Sequence, residues 1–134
     1  MIILLDADIC SYLRRGVPSV VRSYQHHVLE GDVVGISAIT LFEIRFGLEA
    51  KLPRTDVEGF LRELVQNIKV FPFSHEAAHQ AAHIRATQNK NGRPTGAYDP
   101  MLAGHAISLN AELITNNTKH FEGTPKLLLS NWIE

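Results

Sequence analysis

The sequence predicts an α/β protein with a mostly parallel central sheet of about five strands flanked by helices. Short apolar runs alternate with segments of helical periodicity along the chain, as expected for parallel strands joined by right-handed helical crossovers. The first run, residues 2–5, is four aliphatic residues without alternation. This pattern is typical of a strand that is covered on both faces.

Length and composition fit one domain, which we place at residues 1–134. The formal net charge of −1 disfavours indiscriminate nucleic-acid binding but leaves room for a local basic cluster. Cys10 is the one cysteine in the sequence, so an internal disulfide is excluded. We recognise no leader and no membrane-spanning segment, and we expect a cytoplasmic protein.

The elements predicted in the first half are a strand at 2–5, a helix from 9 to Gly16, a helix over 20–28, a strand at 33–36 and a helix from 37 to about 52. Gly16 and Gly31 end the first two helices, because glycine favours the backbone turn that terminates a helix. Ser37 can cap the third helix, because its hydroxyl can accept a hydrogen bond from an early backbone N–H.

The elements predicted in the second half are a helix over 55–68, a strand at 69–73, a helix over 74–88, a loop at 91–96, a helix over 99–107 and strands at 111–115 and 126–129. Thr55 and Glu58 form a capping-box pattern, and Ser74 can cap the helix that follows it. Asp99 and Pro100 have the residue types of an N-cap and a first helical position.

Glu43 belongs to an apolar stripe on its predicted helix. The stripe has three-and-four spacing and consists of Ile39, Phe42, Glu43, Phe46 and Gly47. We therefore expect the Glu43 carboxylate to face the core, where it needs a metal ion, a hydrogen bond or an ion pair. A salt bridge to a buried arginine is the structural alternative.

Acidic side chains are expected to converge at one edge of the sheet. Asp6 and Asp8 follow the first strand, and Asn117 follows the fourth. Glu43 and Asp99 lie early in helices, near the strand ends where α/β proteins bind ligands. Clustered carboxylates repel one another unless a divalent cation neutralises them, and oxygen ligands favour Mg²⁺ or Mn²⁺. Such a site can hydrolyse a phosphodiester.

Four basic residues are candidates for binding the phosphates of RNA, with ordinary solvated surface as the alternative interpretation. They are Arg85, Lys90, Arg93 and Lys119.

Four segments, in this order and at these spacings, resemble the PIN-domain ribonuclease toxins of the VapC type. They are LLDADIC at 4–10, ISAITLFEIRFG at 36–47, PTGAYDPMLAGHA at 94–106 and LITNNTKHF at 113–121. The resemblance implies a PIN-like fold and a Mg²⁺- or Mn²⁺-dependent endoribonuclease. It also implies a homodimer and inhibition by a VapB-type antitoxin, and its enteric members suggest a tRNA anticodon loop as substrate.

Carried over residue by residue, Asp6, Glu43 and Asp99 match the acidic site of that family. Two positions depart from its common pattern. Asp8 stands where many relatives have Asn, Ser or Thr, and Asn117 stands where many PIN domains have a fourth acid. Asn117 offers a carbonyl oxygen but no charge, which leaves open whether Asp8 supplies the missing charge and how many metal ions bind.

Other functional classes remain as alternatives at this point. The segment from Asp6 to Cys10 approaches the Asp-x-Asp-x-Thr motif of haloacid-dehalogenase-like phosphatases, but Cys10 replaces the threonine and no convincing later lysine and acidic pair follows. A phospho-receiver domain would leave Glu43 and Asp99 unexplained. A noncatalytic PIN-fold binding module is favoured by Asn117 and opposed by the three acids.

Overall fold

A five-stranded sheet forms the centre of the structure, a computed structural model that describes residues 1–93 and 96–134. Its strands are β1 (Ile2–Leu5), β2 (Val33–Ser37), β3 (Lys69–Phe71), β4 (Glu112–Ile114) and β5 (Leu128–Ser130). The order across the sheet is β3-β2-β1-β4-β5, and each pairing is parallel. The predicted fold class is confirmed, with a sheet that is parallel throughout the described residues.

Helices connect the strands and cover the sheet. They are α1 (Ala7–Arg14), α2 (Pro18–Leu29), α3 (Ala38–Glu49), α4 (Arg54–Asn67), α5 (His75–Lys90) and α6 (Asp99–Ser108), followed by a 3₁₀ turn at Thr118–His120. In the part of the chain that the structure describes, no helix has both the length and the apolar character needed to cross a membrane.

The central strand β1 is buried on both faces, as its sequence predicts. Ile3 and Leu5 belong to one apolar cluster, together with Val20 from α2. Leu4 belongs to a second cluster, which includes Leu102 from α6. Because successive side chains of a strand point to opposite faces, α1 and α2 cover one side of the sheet and α5 and α6 the other.

The two predicted serine caps are present. Ser37 Oγ accepts a hydrogen bond from the backbone N–H of Ile39 at 3.0 Å. Ser74 Oγ accepts one from the backbone N–H of Ala77 at 3.1 Å. Each hydroxyl satisfies one of the backbone donors left free at a helix start, so α3 and α5 begin where the sequence predicts.

The predicted caps of the other two helices are wrong. α4 begins at Arg54 with Pro53 in the cap position, so Thr55 lies inside the helix; the fixed φ of proline, −59° here, suits a helix start. Asp99 is the first residue of α6 rather than its cap, because Tyr98 already has helical backbone angles. The Asp99 carboxylate is therefore not used in capping.

Several predicted element ends also shift. β3 ends at Phe71, because the next residue is Pro72, which cannot donate a ladder hydrogen bond. β5 covers Leu128–Ser130 rather than 126–129, because Lys126 has a left-handed φ of 69° that a strand cannot contain. α3 ends at Glu49 rather than near residue 52. Residues 94 and 95 of the predicted loop lie outside the described residues.

The predicted orientation of the α3 stripe is wrong for its aromatic members. Phe42 is 52% exposed and Phe46 is 69% exposed. Phe42 instead contacts Phe46 and Tyr98, with ring centroids 6.1 and 5.8 Å apart. The buried side of α3 is rotated away from this stripe and carries Thr40. Glu43 lies between the two sides and is half-buried.

Candidate active site

Asp6 is fixed at the point where β1 ends and α1 begins. Its backbone N–H donates to the carbonyl of Ile114 in β4 at 3.0 Å. Its Oδ1 accepts from the backbone N–H of Ile9 at 2.9 Å, and its Oδ2 accepts from the hydroxyl of Thr115 at 2.5 Å. Asp6 is only 8% exposed, so its carboxylate has one well-defined position next to β4.

The electrostatics of Asp6 reflect both burial and neighbouring acids. Burial is the largest cause and raises the pKa of its carboxyl, while the hydrogen bonds from Thr115 and Ile9 lower that pKa. Repulsion by Asp8 and by Asp99 raises it further. Because Asp99 is distant in sequence, this repulsion shows that the fold brings acids from different elements together.

Glu43 is the most perturbed acid of this group. Burial raises the pKa of its carboxyl to about 7, with further contributions from repulsion by Asp99, Asp6 and Asp8. Its Oε1 is buried and, within residues 1–93 and 96–134, has no hydrogen-bond partner. A buried carboxylate oxygen without a donor is costly, so this atom is available for a ligand.

The structural alternative for Glu43, a salt bridge to a buried arginine, is wrong for the described residues. The nearby Arg45 pairs instead with Glu58 and, at 3.6 Å, with Glu49. The pair with Glu58 joins α3 to α4, and the pair with Glu49 lies within α3. They leave Glu43 among acids only.

Asp99 faces a histidine that the sequence did not indicate. Its Oδ2 lies 3.1 Å from Nδ1 of His120 in the 3₁₀ turn after β4. Burial raises the pKa of the Asp99 carboxyl, and His120 opposes this shift. Among residues 1–93 and 96–134, Asp99 is the one acid of this group that pairs with a basic side chain.

A buried histidine joins the helices that carry Glu43 and Asp99. His105 of α6 is 1% exposed, and its Nδ1 lies 2.7 Å from Oγ of Ser37, the cap of α3. Burial lowers the pKa of this imidazole. The contact connects the start of α3 to the middle of α6 and so fixes the two acids relative to each other. The only signal in the sequence was one polar residue within the apolar run 102–106.

The arrangement of these acids agrees with the similarity of the chain to known proteins. Residues 3–127 match the PIN domain family. The chain is 35% identical over 133 residues to the tRNA(fMet)-specific endonuclease VapC of Shigella flexneri, and the match covers 96% of each protein. The chain belongs to the VapC-type PIN-domain family. Ribonucleases with this domain generally use a divalent metal ion. Because residues 3–127 match the PIN domain family, the resemblance to haloacid-dehalogenase-like phosphatases is confined to the short segment 6–10.

Solved VapBC structures share the fold of this PIN domain. VapBC2 from Rickettsia felis, bound to a DNA fragment from its promoter, aligns with a TM-score of 0.89 and 28% identity over 99% of this chain and 100% of that one. VapBC-1 from nontypeable Haemophilus influenzae aligns with a TM-score of 0.89 and 29% identity over the full length of both chains. Both proteins are described as VapBC complexes.

Asp8 and Asn117, the two positions at which this PIN domain departs from the common pattern of its family, lie beside the acids. Asp8 is exposed in the first turn of α1, and its charge raises the pKa of both Asp6 and Glu43. Asn117 precedes the 3₁₀ turn, and its backbone N–H donates to Thr115 Oγ1 at 3.0 Å. Among the described residues, no three His, Cys, Asp or Glu side chains are arranged to hold one metal ion. The acids among the described residues therefore influence one another electrostatically but do not form a complete metal-coordination site.

The four basic candidates of this PIN domain separate into two pairs. Arg93 and Lys119 line a cavity that His120 also lines. Arg85 and Lys90 lie on α5 and are exposed, and neither belongs to the described lining of that cavity. Only the first pair therefore shares this cavity with the histidine that contacts Asp99.

Proposed function

We propose that this chain is a divalent-metal-dependent endoribonuclease that acts as the toxin of a VapB–VapC pair in the cytoplasm, with residues 1–134 as one domain. Asp6, Glu43 and Asp99 are its metal-binding catalytic residues, and Mg²⁺ or Mn²⁺ is its cofactor. The observation that carries this proposal is the buried Oε1 of Glu43, which has no hydrogen-bond partner in the described chain and lies among acids that raise the Glu43 pKa.

The acids fit a hard cation better than they fit a purely structural role. Repulsion by neighbouring acids destabilises the ionised forms of Asp6 and Glu43, and a divalent cation removes that repulsion while supplying a partner for the unsatisfied oxygen. Once bound, such a cation polarises a phosphodiester and activates water for hydrolysis. Asp8 contributes negative charge, and Asn117 contributes at most an amide oxygen.

Each acid has a distinct task in this proposal. Asp6 is held rigidly by Ile9 and Thr115, so it provides the fixed ligand position. Glu43 can hold a proton near neutral pH when no cation is bound, because its pKa is about 7. Asp99 would be the third ligand of the cation, and its Oδ2 contacts Nδ1 of His120 at 3.1 Å.

The substrate and partners are proposed from chemistry and from the relatives. The Shigella flexneri relative is named as a tRNA(fMet)-specific endonuclease. We propose a single-stranded loop of a structured RNA, the anticodon loop of a tRNA, as the substrate, because unpaired nucleotides can splay and bend toward the acids. The VapBC complexes of similar fold support a VapB-type antitoxin as partner. We propose a homodimer as the assembly of the free toxin.

The test combines RNA cleavage with metal binding by the purified protein. Cleavage of tRNA should require Mg²⁺ or Mn²⁺ and stop with chelator, and Asp6→Asn, Glu43→Gln and Asp99→Asn should each lose most activity. The metal alone should raise the melting temperature, because a ligand at about 100 times its Kd stabilises the folded state by about 2.7 kcal/mol. Glu63→Gln, an exposed acid on α4, is the matched control.

Two outcomes would overturn parts of this proposal. Full activity in any two of the three acid variants would remove the site assignment. Metal stabilisation with no cleavage of any RNA by the wild-type protein would identify a noncatalytic PIN-fold binding module instead.

A further inference from the structure

A cavity of about 380 Å³ lies beside the acid site. One wall is α5, the opposite wall is the segment 119–126, which runs from the 3₁₀ turn toward β5, and Ile107 of α6 contributes to the lining. Its volume is within the range of about 300–1,000 Å³ that small-ligand pockets have. The catalytic acids do not belong to its described lining, so the cavity is separate from the proposed reaction centre.

The cavity carries cations on both sides. Arg93 follows α5, and Lys119 and Lys126 lie on the opposite wall. Glu122 is the one acid in the described lining. Within residues 1–93 and 96–134, neither Lys119 nor Lys126 forms an ion pair. Cations that face one cavity without neutralising partners favour an anionic occupant.

The floor and edges of the cavity suit a nucleobase. Ile84 and Ile107 provide an apolar floor, and Gln80, Thr87 and Asn91 supply hydrogen-bond donors and acceptors around it. The flat face of a base can therefore pack on the isoleucines while its edge contacts the polar side chains. This combination of an apolar floor, polar edges and cations is what a nucleotide requires.

His120 connects this cavity to the acid site. Its ring lines the cavity and also contacts Asp99. The acids repel the phosphates of RNA, so attraction must come from groups beside them. Lys119 precedes His120 in the chain and lines the same cavity, so it places a positive charge near the histidine that contacts Asp99.

We propose that this cavity is a subsite for the ribonucleotide adjacent to the scissile phosphate, with its phosphate bound by Lys119, Lys126 and Arg93 and its base on Ile84 and Ile107. The inference rests on the proposed nuclease function and adds to it a defined place for RNA. It also assigns a task to Lys126, which the sequence did not indicate, and leaves Arg85 and Lys90 as solvated surface.

The first test compares two double variants in an Asp6→Asn background, using a fluorescently labelled RNA stem-loop and a salt series. Lys119→Ala with Lys126→Ala should weaken binding and reduce the log–log salt slope by about one to two, because each lost phosphate contact removes about 0.7 to 0.9 from it. Arg85→Ala with Lys90→Ala removes the same charge outside the cavity and should leave the slope nearly unchanged. Equal slopes for the two pairs would overturn the subsite.

The second test fills the cavity without changing charge. Thr87 faces the cavity from α5, whereas its exposed neighbour Ala86 is outside the described lining. Thr87→Trp should weaken RNA binding roughly tenfold, a loss of about 1.4 kcal/mol, and Ala86→Trp should not. Thermal melting of both variants confirms that they are folded. Unchanged binding by Thr87→Trp would also overturn the subsite.

Different results would overturn the cavity subsite and the proposed nuclease function. Metal-dependent cleavage by the wild-type protein, combined with unaffected cavity variants, would overturn only the subsite. Absence of RNA binding and cleavage by the wild-type protein would overturn the proposed function itself.

Discussion

Thr115 is a fully buried residue whose hydroxyl bridges two parts of the site. It donates to Asp6 Oδ2 and accepts from the backbone N–H of Asn117. Thr115→Val keeps the shape of the side chain but removes the hydroxyl that bonds to the Asp6 carboxylate and to the Asn117 N–H. We therefore expect the free energy of unfolding to fall by about 1–3 kcal/mol, together with a loss of cleavage. Urea denaturation and RNA cleavage measure the two effects.

Thr115→Ser is the matched control for that change, because it keeps the hydroxyl and removes only a methyl group. It should retain most of the cleavage activity. Equal activity and equal stability of the Val and Ser variants would show that the hydroxyl does not position Asp6.

The raised pKa of Glu43 makes the stability of the metal-free protein depend on pH. Its ordinary pKa is 4.5, and the folded protein raises it to about 7. Between these values the folded state holds a proton that the unfolded chain releases, so the free energy of unfolding should fall as pH rises from about 4.5 to about 7. The raised pKa values of Asp6 and Asp99 act in the same direction.

Glu43→Gln should flatten this pH dependence and, at pH 7, make the metal-free protein more stable than the wild type. Urea denaturation over a pH series in chelator is the measurement, with the exposed Glu63→Gln as control. A slope in Glu43→Gln as steep as in the wild type would rule out Glu43 as a main source of the effect.

At the residue scale, sequence reasoning located groups whose roles are local and missed groups whose roles depend on distant partners. The caps Ser37 and Ser74 were predictable because a cap bonds to backbone two or three residues away. Thr115 and His120 were not, because spacing along the chain does not reveal which side chain an adjacent strand or turn will present. Asp6 and Thr115 are 109 positions apart in sequence.

At the scale of elements, α6 lies against α5 at a glycine. A Cβ on Gly104 would be 2.4 Å from the backbone N and 2.6 Å from the Cα of Ala81, distances that require one helix to move. Gly104→Ala should therefore destabilise the protein by about 1–3 kcal/mol, as overpacking does. Because α6 begins with Asp99, the displacement should also reduce cleavage.

Gly47→Ala in α3 is the control for this helix-packing prediction. A Cβ there meets nothing within 4 Å among the described residues. It should leave stability unchanged or raise it by up to about 1 kcal/mol, since alanine favours the helix more than glycine does. Chemical denaturation measures the free energy of unfolding of the two variants. Equal values would contradict tight packing at Gly104.

The elements themselves were largely predictable, but the face of α3 was not. Its three-and-four apolar spacing predicted that Phe42, Glu43 and Phe46 share a buried side, whereas the two phenylalanines are exposed and only Glu43 is half-buried. α3 is apolar around most of its circumference, so periodicity alone could not select the side that packs against the sheet.

At the scale of the whole molecule, the parallel sheet determines where the acids meet. Leu5 of β1 is in register with Ile114 of β4, so the residues that follow them, Asp6 and Thr115, emerge side by side. The sequence predicted a parallel α/β sheet from its apolar runs and helical crossovers. The placement of β1 between β2 and β4 depends on tertiary pairing, which those local patterns do not encode.

The central place of β1 also orders the folding of the chain during translation. β1 is synthesised first, but one of its two neighbours, β4, follows more than a hundred residues later. A domain folds as a unit, so β1 cannot complete both of its pairings, and Asp6 cannot accept from the Thr115 hydroxyl, until the chain beyond residue 115 has been synthesised. We therefore expect the acid site to assemble only late in translation.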